Sequence, residues 1–424
     1  MKKPVRFLSM LFLVPVFILG SCGGSSSKDQ ITISAWHVWG GGSDANFVAQ
    51  TLSDFAREHP NIKIEATAYE PDAFQVQVLK TSVAANEFAD VSHAWAGAQI
   101  KPFVDSQRLL NLDKYLTEDV RSQLMPGVLG GMTFNGNVYG LPFLIQPCVT
   151  IYNKALFDEY NLPIPETYDD LVNAVKVFRK NGITPFCLGG QALWTSMMYY
   201  DMMAVRYLGA EACARALAGE EPFDSEGFLQ ITRMFADLVD MGAFDPSAVS
   251  LNRYEAEMEF KLGKIPVLLE GSWVINDMIQ GDSAVKDHMV VRGFPAISGA
   301  AGNADILGGA NDSWIVNGAT KNPDEAFLVA MTLVKSQALS RFLNNEGVAA
   351  WKLPEGTDVS RINPYYLQIM DMVNKSKASV LYWDNIISPD LTLTHENLIS
   401  DLLTKKIGPE EFVKSMQRAI DAAK

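Results

Sequence analysis

Ile31-Thr32-Ile33-Ser34-Ala35-Trp36 alternates side chains as a strand does and then breaks at Gly40-Gly41-Gly42. Val48, Leu52 and Phe55 follow at i, i+4 and i+7, so a helix runs from about Asp44 to His59 and stops at Pro60-Asn61. Ile62, Ile64 and Ala66 then alternate with Lys63, Glu65 and Thr67. Strand, helix, strand is a βαβ opening, and strands alternating with helices along the chain imply α/β layers.

The pattern recurs. Thr167 caps a helix carrying Leu171, Val175 and Phe178 that ends at Asn181-Gly182, with a strand expected over Ile183 to Leu188. Phe228, Ile231, Phe235 and Leu238 mark a helix ending near Gly242, and Ile265 to Leu269 reads as a short strand before Glu270-Gly271-Ser272-Trp273. Asn322-Pro323-Asp324-Glu325 and Gly408-Pro409-Glu410-Glu411 each start a helix with proline in its first turn. The chain has 424 residues, beyond the ~250 to 300 at which one core stops growing, so two α/β domains are expected.

The N-terminus carries Lys2, Lys3 and Arg6 before an uncharged apolar run from Phe7 to Leu19 that ends in Gly20-Ser21-Cys22. This is the pattern of a signal peptide over residues 1–21. The run is too short for a helix of about 20 residues to span the bilayer, and no later segment is expected to span it. Leu19-Gly20-Ser21-Cys22 resembles the bacterial lipobox, which implies a lipid on Cys22, and residues 22–30 have the composition of a flexible tether. Loss of residues 1–21 moves the formal charge from −14 to −17. Such acidity argues against nucleic acid as a partner, because phosphate binding needs clustered Lys and Arg. Cys148, Cys187 and Cys213 remain, read as small buried apolar residues, with one disulfide among them left open.

Eight tryptophans mark the candidate site: Trp36, Trp39, Trp95, Trp194, Trp273, Trp314, Trp351 and Trp383. Most stand where a strand ends or a helix begins, and in open α/β sheets ligands bind outside the carboxyl ends of the strands. A sugar offers an apolar C–H face to stack on such rings and a rim of hydroxyls that needs polar partners. His37, Asp44, His93, Glu270, Asn311, Asp312, Asp384 and Asn385 accompany the rings. About half of the rings are expected to touch ligand.

Several short motifs then share one order. They are Trp39-Gly40-Gly41-Gly42, His59-Pro60-Asn61-Ile62, Ala89-Asp90-Val91, Val138-Tyr139-Gly140-Leu141-Pro142-Phe143, Tyr152-Asn153-Lys154-Ala155-Leu156-Phe157, Gly271-Ser272-Trp273 and Asn322-Pro323-Asp324-Glu325-Ala326. In this order the chain resembles the extracellular solute-binding proteins of carbohydrate ABC importers, the group that includes maltose-binding proteins. The resemblance implies a periplasmic-binding-protein-like fold of two α/β lobes, with a hinge and a ligand cleft between them. The expected N-terminal lobe is 31–141 with about 296–346, and the C-terminal lobe 142–295 with about 347–424. Crossings are expected near Gly140-Leu141-Pro142 and Gly293-Phe294-Pro295, with a return after Gly347.

Carried over by residue, the cleft would hold Trp36, His37, Trp39, Asp44, Trp95, Trp194, Glu270, Trp273, Asp312, Trp314, Trp383 and Asp384. The implied function is capture of a sugar outside the cytoplasmic membrane, at the cell surface or in a periplasm, with no cofactor. Delivery would be to membrane permease subunits driven by a separate ATPase, since no G-x-x-x-x-G-K-[ST] loop occurs in the chain. Two rivals share these features. One is a binder of a non-sugar solute such as a polyamine. The other is a secreted glycoside hydrolase, which needs two carboxylates at a set separation. A metalloenzyme is disfavoured, because the five histidines form no HxxH or HExxH spacing.

Overall fold

The computed structural model describes residues 30–40, 42–70, 74–125 and 127–423. The leader, Cys22 and most of the tether lie outside the described residues, as does the side chain of Asp44.

Two mixed sheets carry the architecture. The first has the order β2-β1-β3-β12-β6, built from β1 (Ile31–His37), β2 (Ile62–Ala68), β3 (Val91–Trp95), β6 (Gly140–Pro142) and β12 (Asp312–Val316). β1 pairs parallel with β2 from Ile31↔Ile62 to His37↔Ala68, and parallel with β3, as the βαβ reading requires. The connecting helix is Gly42–Glu58. β12 inserts antiparallel between β3 and β6. A hairpin of β4 (Thr133–Phe134) and β5 (Asn137–Val138) turns on Asn135 and Gly136, both at positive φ, the conformation its Asn-Gly dipeptide favours.

The second sheet has the order β14-β11-β7-β9-β8. It comprises β7 (Leu144–Asn153), β8 (Phe186–Cys187), β9 (Val267–Gly271), β11 (Ile306–Gly309) and β14 (Ser379–Val380), with β10 (Met289–Arg292) and β13 (Val348–Ala349) also on β7. Its main helix, Leu193–Leu208, has every residue from Thr195 to Arg206 buried. It packs between the Glu226–Asp240 and Pro389–Leu403 helices. The Tyr168–Lys180 helix starts at the expected cap: Asp170 N donates to Thr167 Oγ1 at 3.2 Å, and Thr167 N donates to Asp170 Oδ2 at 3.0 Å.

The chain passes between the sheets three times. It leaves the first at Phe143, between β6 and β7, close to the expected crossing. The expected crossing at Gly293-Phe294-Pro295 is corrected. β10 pairs with β7, and Phe294, Ile297 and Leu307 are buried together under the second sheet, so the chain returns only between Gly309 and Asp312. The third passage brings β13 onto β7 after Gly347. Among the described helices, Pro323–Leu343, 21 residues, is long and apolar enough by length and composition to cross a bilayer. Its buried side chains, among them Ala326, Val329, Ala330, Leu333 and Val334, serve the first lobe, where the helix packs on β12 and the Gly42–Glu58 helix.

Cys148, Cys187 and Cys213 are free and buried, so no disulfide joins these three. Burial raises all three thiols above their ordinary range, which suits small core residues better than reactive groups.

Candidate functional site

Two groups of rings and charges stand at the ends of the two sheets that adjoin the crossings. In the first lobe the Asp312 carboxylate anchors the arrangement. Its Oδ1 accepts from the Trp95 indole N–H at 3.1 Å and bonds His93 Nε2 at 2.9 Å, while the Asp312 side chain keeps 22% of its surface exposed. β12 runs antiparallel to β3 with Asp312 opposite Trp95, which is why residues far apart in the chain meet. Trp39 packs edge-on against His93 at 4.8 Å and Phe143 at 5.6 Å, and the Arg341 guanidinium lies 5.2 Å from its ring centre. Arg341 in turn bonds Glu346 at 2.7 Å. The indole is held from several sides before any ligand arrives.

His37 stacks on Trp39 at 6.0 Å and accepts the Trp39 backbone N–H on Nδ1 at 3.3 Å. Burial, and then His93, lower its pKa to about 4, so the ring is a neutral acceptor near neutral pH. Trp36 alternates away from His37 along β1, where it packs edge-on against Tyr69 and Phe74, apart from this group.

In the second lobe Trp273 packs 6.1 Å from Trp194 and 5.5 Å from Tyr382, and the Arg253 guanidinium lies 5.4 Å from the Trp194 ring. Arg253 bonds Glu257 at 2.7 Å. Glu270, 3% exposed, has its carboxyl pushed up to about 8 by burial and then by Glu257. Arg253, already paired with Glu257, offsets this only in part. Glu270 therefore holds its proton near neutral pH and reads as a carboxylic acid rather than an anion.

β7 sets the spacing between the groups. Phe143 N donates to the Asp312 carbonyl at 3.4 Å, and Cys148 pairs with Gly271 at the end of β9. Five residues of extended chain separate these points, about 17 Å at ~3.3 Å per residue.

Two expected site residues are corrected. Trp314 is fully buried at the middle of β12, with its indole N–H donated to Gln337 Oε1 at 2.6 Å. Trp383 is fully buried in the second core, stacked on His395 at 5.2 Å and set edge-on to Tyr200 at 6.1 Å. Both are packing residues. Asp384 is half-buried, accepts from Asn385 Nδ2 at 3.0 Å, and has its carboxyl raised to about 6 by burial. The structure thus gathers His37, Trp39, Trp95 and Asp312 in one group and Trp194, Glu270 and Trp273 in the other. Phe143, Arg341, Arg253, Glu257 and Tyr382 were not selected from the sequence.

Two lobes joined by three crossings, each presenting partly exposed indoles and polar groups where the sheets adjoin, define a two-lobed binding protein. The chain belongs to the bacterial extracellular solute-binding protein family, whose model matches residues 40–338. A solved structure from work on xylan utilization by the thermophilic bacterium Caldanaerobius polysaccharolyticus is 36% identical. It superposes with a TM-score of 0.84 over 92% of this chain and 99% of that one. The multiple sugar-binding protein of Streptococcus mutans is 25% identical over 354 residues, 81% of each chain. An uncharacterized ABC transporter extracellular-binding protein of Pyrococcus horikoshii is 23% identical over 286 residues, spanning 63% of this chain and 64% of that one.

Proposed function

We propose that this protein captures a sugar or oligosaccharide outside the cytoplasmic membrane and delivers it to an ABC-type importer, acting as a binder and not as an enzyme. The observation that carries the reading is the pair of partly exposed indole groups beside the crossings: Trp39 and Trp95 with Asp312, and Trp194 and Trp273 with Arg253. Rings of this kind take the apolar face of a pyranose, while Asp312, His37 and the protonated Glu270 offer partners to its hydroxyls. The relatives associated with xylan utilization and with multiple sugars support the same ligand class.

Sugar that touches both groups binds only when the lobes are close, so binding shifts the population toward the closed form. The importer's permease reads that closed surface, and a separate ATPase supplies the energy. A lipid on Cys22 holds the protein at the outer face of the membrane, with residues 23–30 as its tether.

Scattering and tryptophan fluorescence across a saccharide panel test the binding. Compaction with a sugar is the expected result, and compaction with a polyamine alone would retire the carbohydrate reading. New reducing ends after incubation with oligosaccharides would favour the hydrolase. A Cys22→Ser variant should leave the membrane fraction; continued retention there would contradict the anchor.

A further inference from the structure

Tyr254 is 67% exposed, the largest exposure among the large apolar side chains of the described residues. Its ring has a cation for a neighbour: the Arg253 guanidinium lies 4.3 Å from the Tyr254 ring centre and 5.4 Å from that of Trp194. Tyr254 therefore continues a row that starts at the buried Tyr382 and passes through Trp273 and Trp194. The row runs from the buried Tyr382 through the partly exposed Trp273 and Trp194 to the exposed Tyr254.

Its outer end is rigid. Asn252 caps the Arg253–Lys261 helix by accepting the Tyr254 N–H at 2.9 Å. Gly189 packs so closely that a Cβ there would stand 2.3 Å from the Arg253 Cα, which ties the helix start to the loop before Trp194. The Arg253 guanidinium is fixed by Glu257 at 2.7 Å. Along the rim, the exposed Asn252 donates its amide to Gln191 at 3.3 Å, leaving polar groups of the kind that sugar hydroxyls use. A rigid ring beside amide groups suits an alternation of C–H face and hydroxyl rim, and aromatic faces held in place bind at low entropic cost.

We propose that Tyr254 forms an outer subsite of the cleft, and that the ligand is an oligosaccharide whose chain runs from Trp273 over Trp194 to Tyr254. The proposal rests on the sugar reading above and adds length to it: a monosaccharide would fill only the inner end. Because the Tyr254 ring is 67% exposed, its removal should leave the fold intact.

The test is calorimetric titration of wild type, Tyr254→Ala and Trp194→Ala with xylo-oligosaccharides of one to six units, and with the chito and malto series in parallel. Affinity of the wild type should rise with chain length. Tyr254→Ala should weaken the longest members about tenfold, as expected for loss of one stacking contact, and leave the shortest binding member unchanged. Trp194→Ala should weaken shorter members as well. An equal loss at every length, or none at any length, overturns the subsite while leaving the sugar reading in place. Silence of the wild type toward every saccharide removes both.

Discussion

A Cβ atom at Gly97 would stand 1.8 Å from the carbonyl oxygen of Asn385. Gly97 follows β3 in the first lobe and Asn385 ends the Trp383–Asn385 turn in the second, so the lobes meet here backbone to backbone. Gln99 Nε2 adds a 3.4 Å bond to the Asp384 carbonyl. Gly97 also has φ +66°, which costs an L-residue about 1–2 kcal/mol. Gly97→Ala should therefore push the lobes apart at this point. Scattering should give a larger radius of gyration with ligand present, and affinity should fall several-fold. A variant that compacts as fully as wild type would show that this contact does not govern closure.

The two classes of tryptophan should separate under substitution. Trp314→Ala removes a fully buried ring and strands Gln337, so thermal melting should report a loss of about 3–5 kcal/mol. Trp273→Ala, at a partly exposed ring, should lower affinity at least tenfold with a much smaller stability cost. If Trp273→Ala melts like Trp314→Ala yet binds normally, Trp273 is a packing residue.

Stability should fall as pH rises from about 4.5 to 8. The Glu270 carboxyl is raised to about 8 from its ordinary 4.5, so across that window the folded state keeps a proton that the unfolded chain releases. The slope from this group is at most about 1.4 kcal/mol per pH unit. Glu396 and Asp384, raised to about 7 and 6, act in the same sense. His37 and His395, lowered to about 4 and about 3, act oppositely below pH 6.5, where the unfolded chain takes up their protons. Denaturant titrations of wild type and Glu270→Gln at pH 6 and 8.5 isolate the contribution of this carboxyl. The variant should lose less stability on going to high pH, and identical losses would contradict a protonated Glu270.

Cys148, Cys187 and Cys213 should resist a thiol reagent in the native protein and react together in denaturant, because all three are buried with raised thiols. Rapid labelling of any one under native conditions would reveal an opening that exposes it.

Elements with one buried face were readable from spacing. The Gly42–Glu58 and Tyr168–Lys180 helices and strands β1 and β2 fall within a few residues of the expected bounds. The Leu193–Leu208 helix escaped because a helix buried all round has no polar stripe to give a 3.6-residue period. β7 escaped because Pro147 interrupts a run that otherwise reads as strand. Sequence position also could not tell Trp95 from Trp314: both precede or follow glycine-rich turns, but only the β12 register shows that Trp314 points into the core. Arg253, Arg341 and Tyr254 carry no local signal, since a cation over a ring is a property of the folded pairing.

The place of β12 in the first sheet sets when that lobe is able to exist. With β12 lodged between β3 and β6, a ribosome that has made the first three hundred residues has delivered every other strand of that sheet but left a gap between β3 and β6. The lobe that begins the polypeptide is thus completed after most of its partner has been synthesised. Cutting the gene at either early crossing would yield fragments with unpaired strand edges rather than two independent halves.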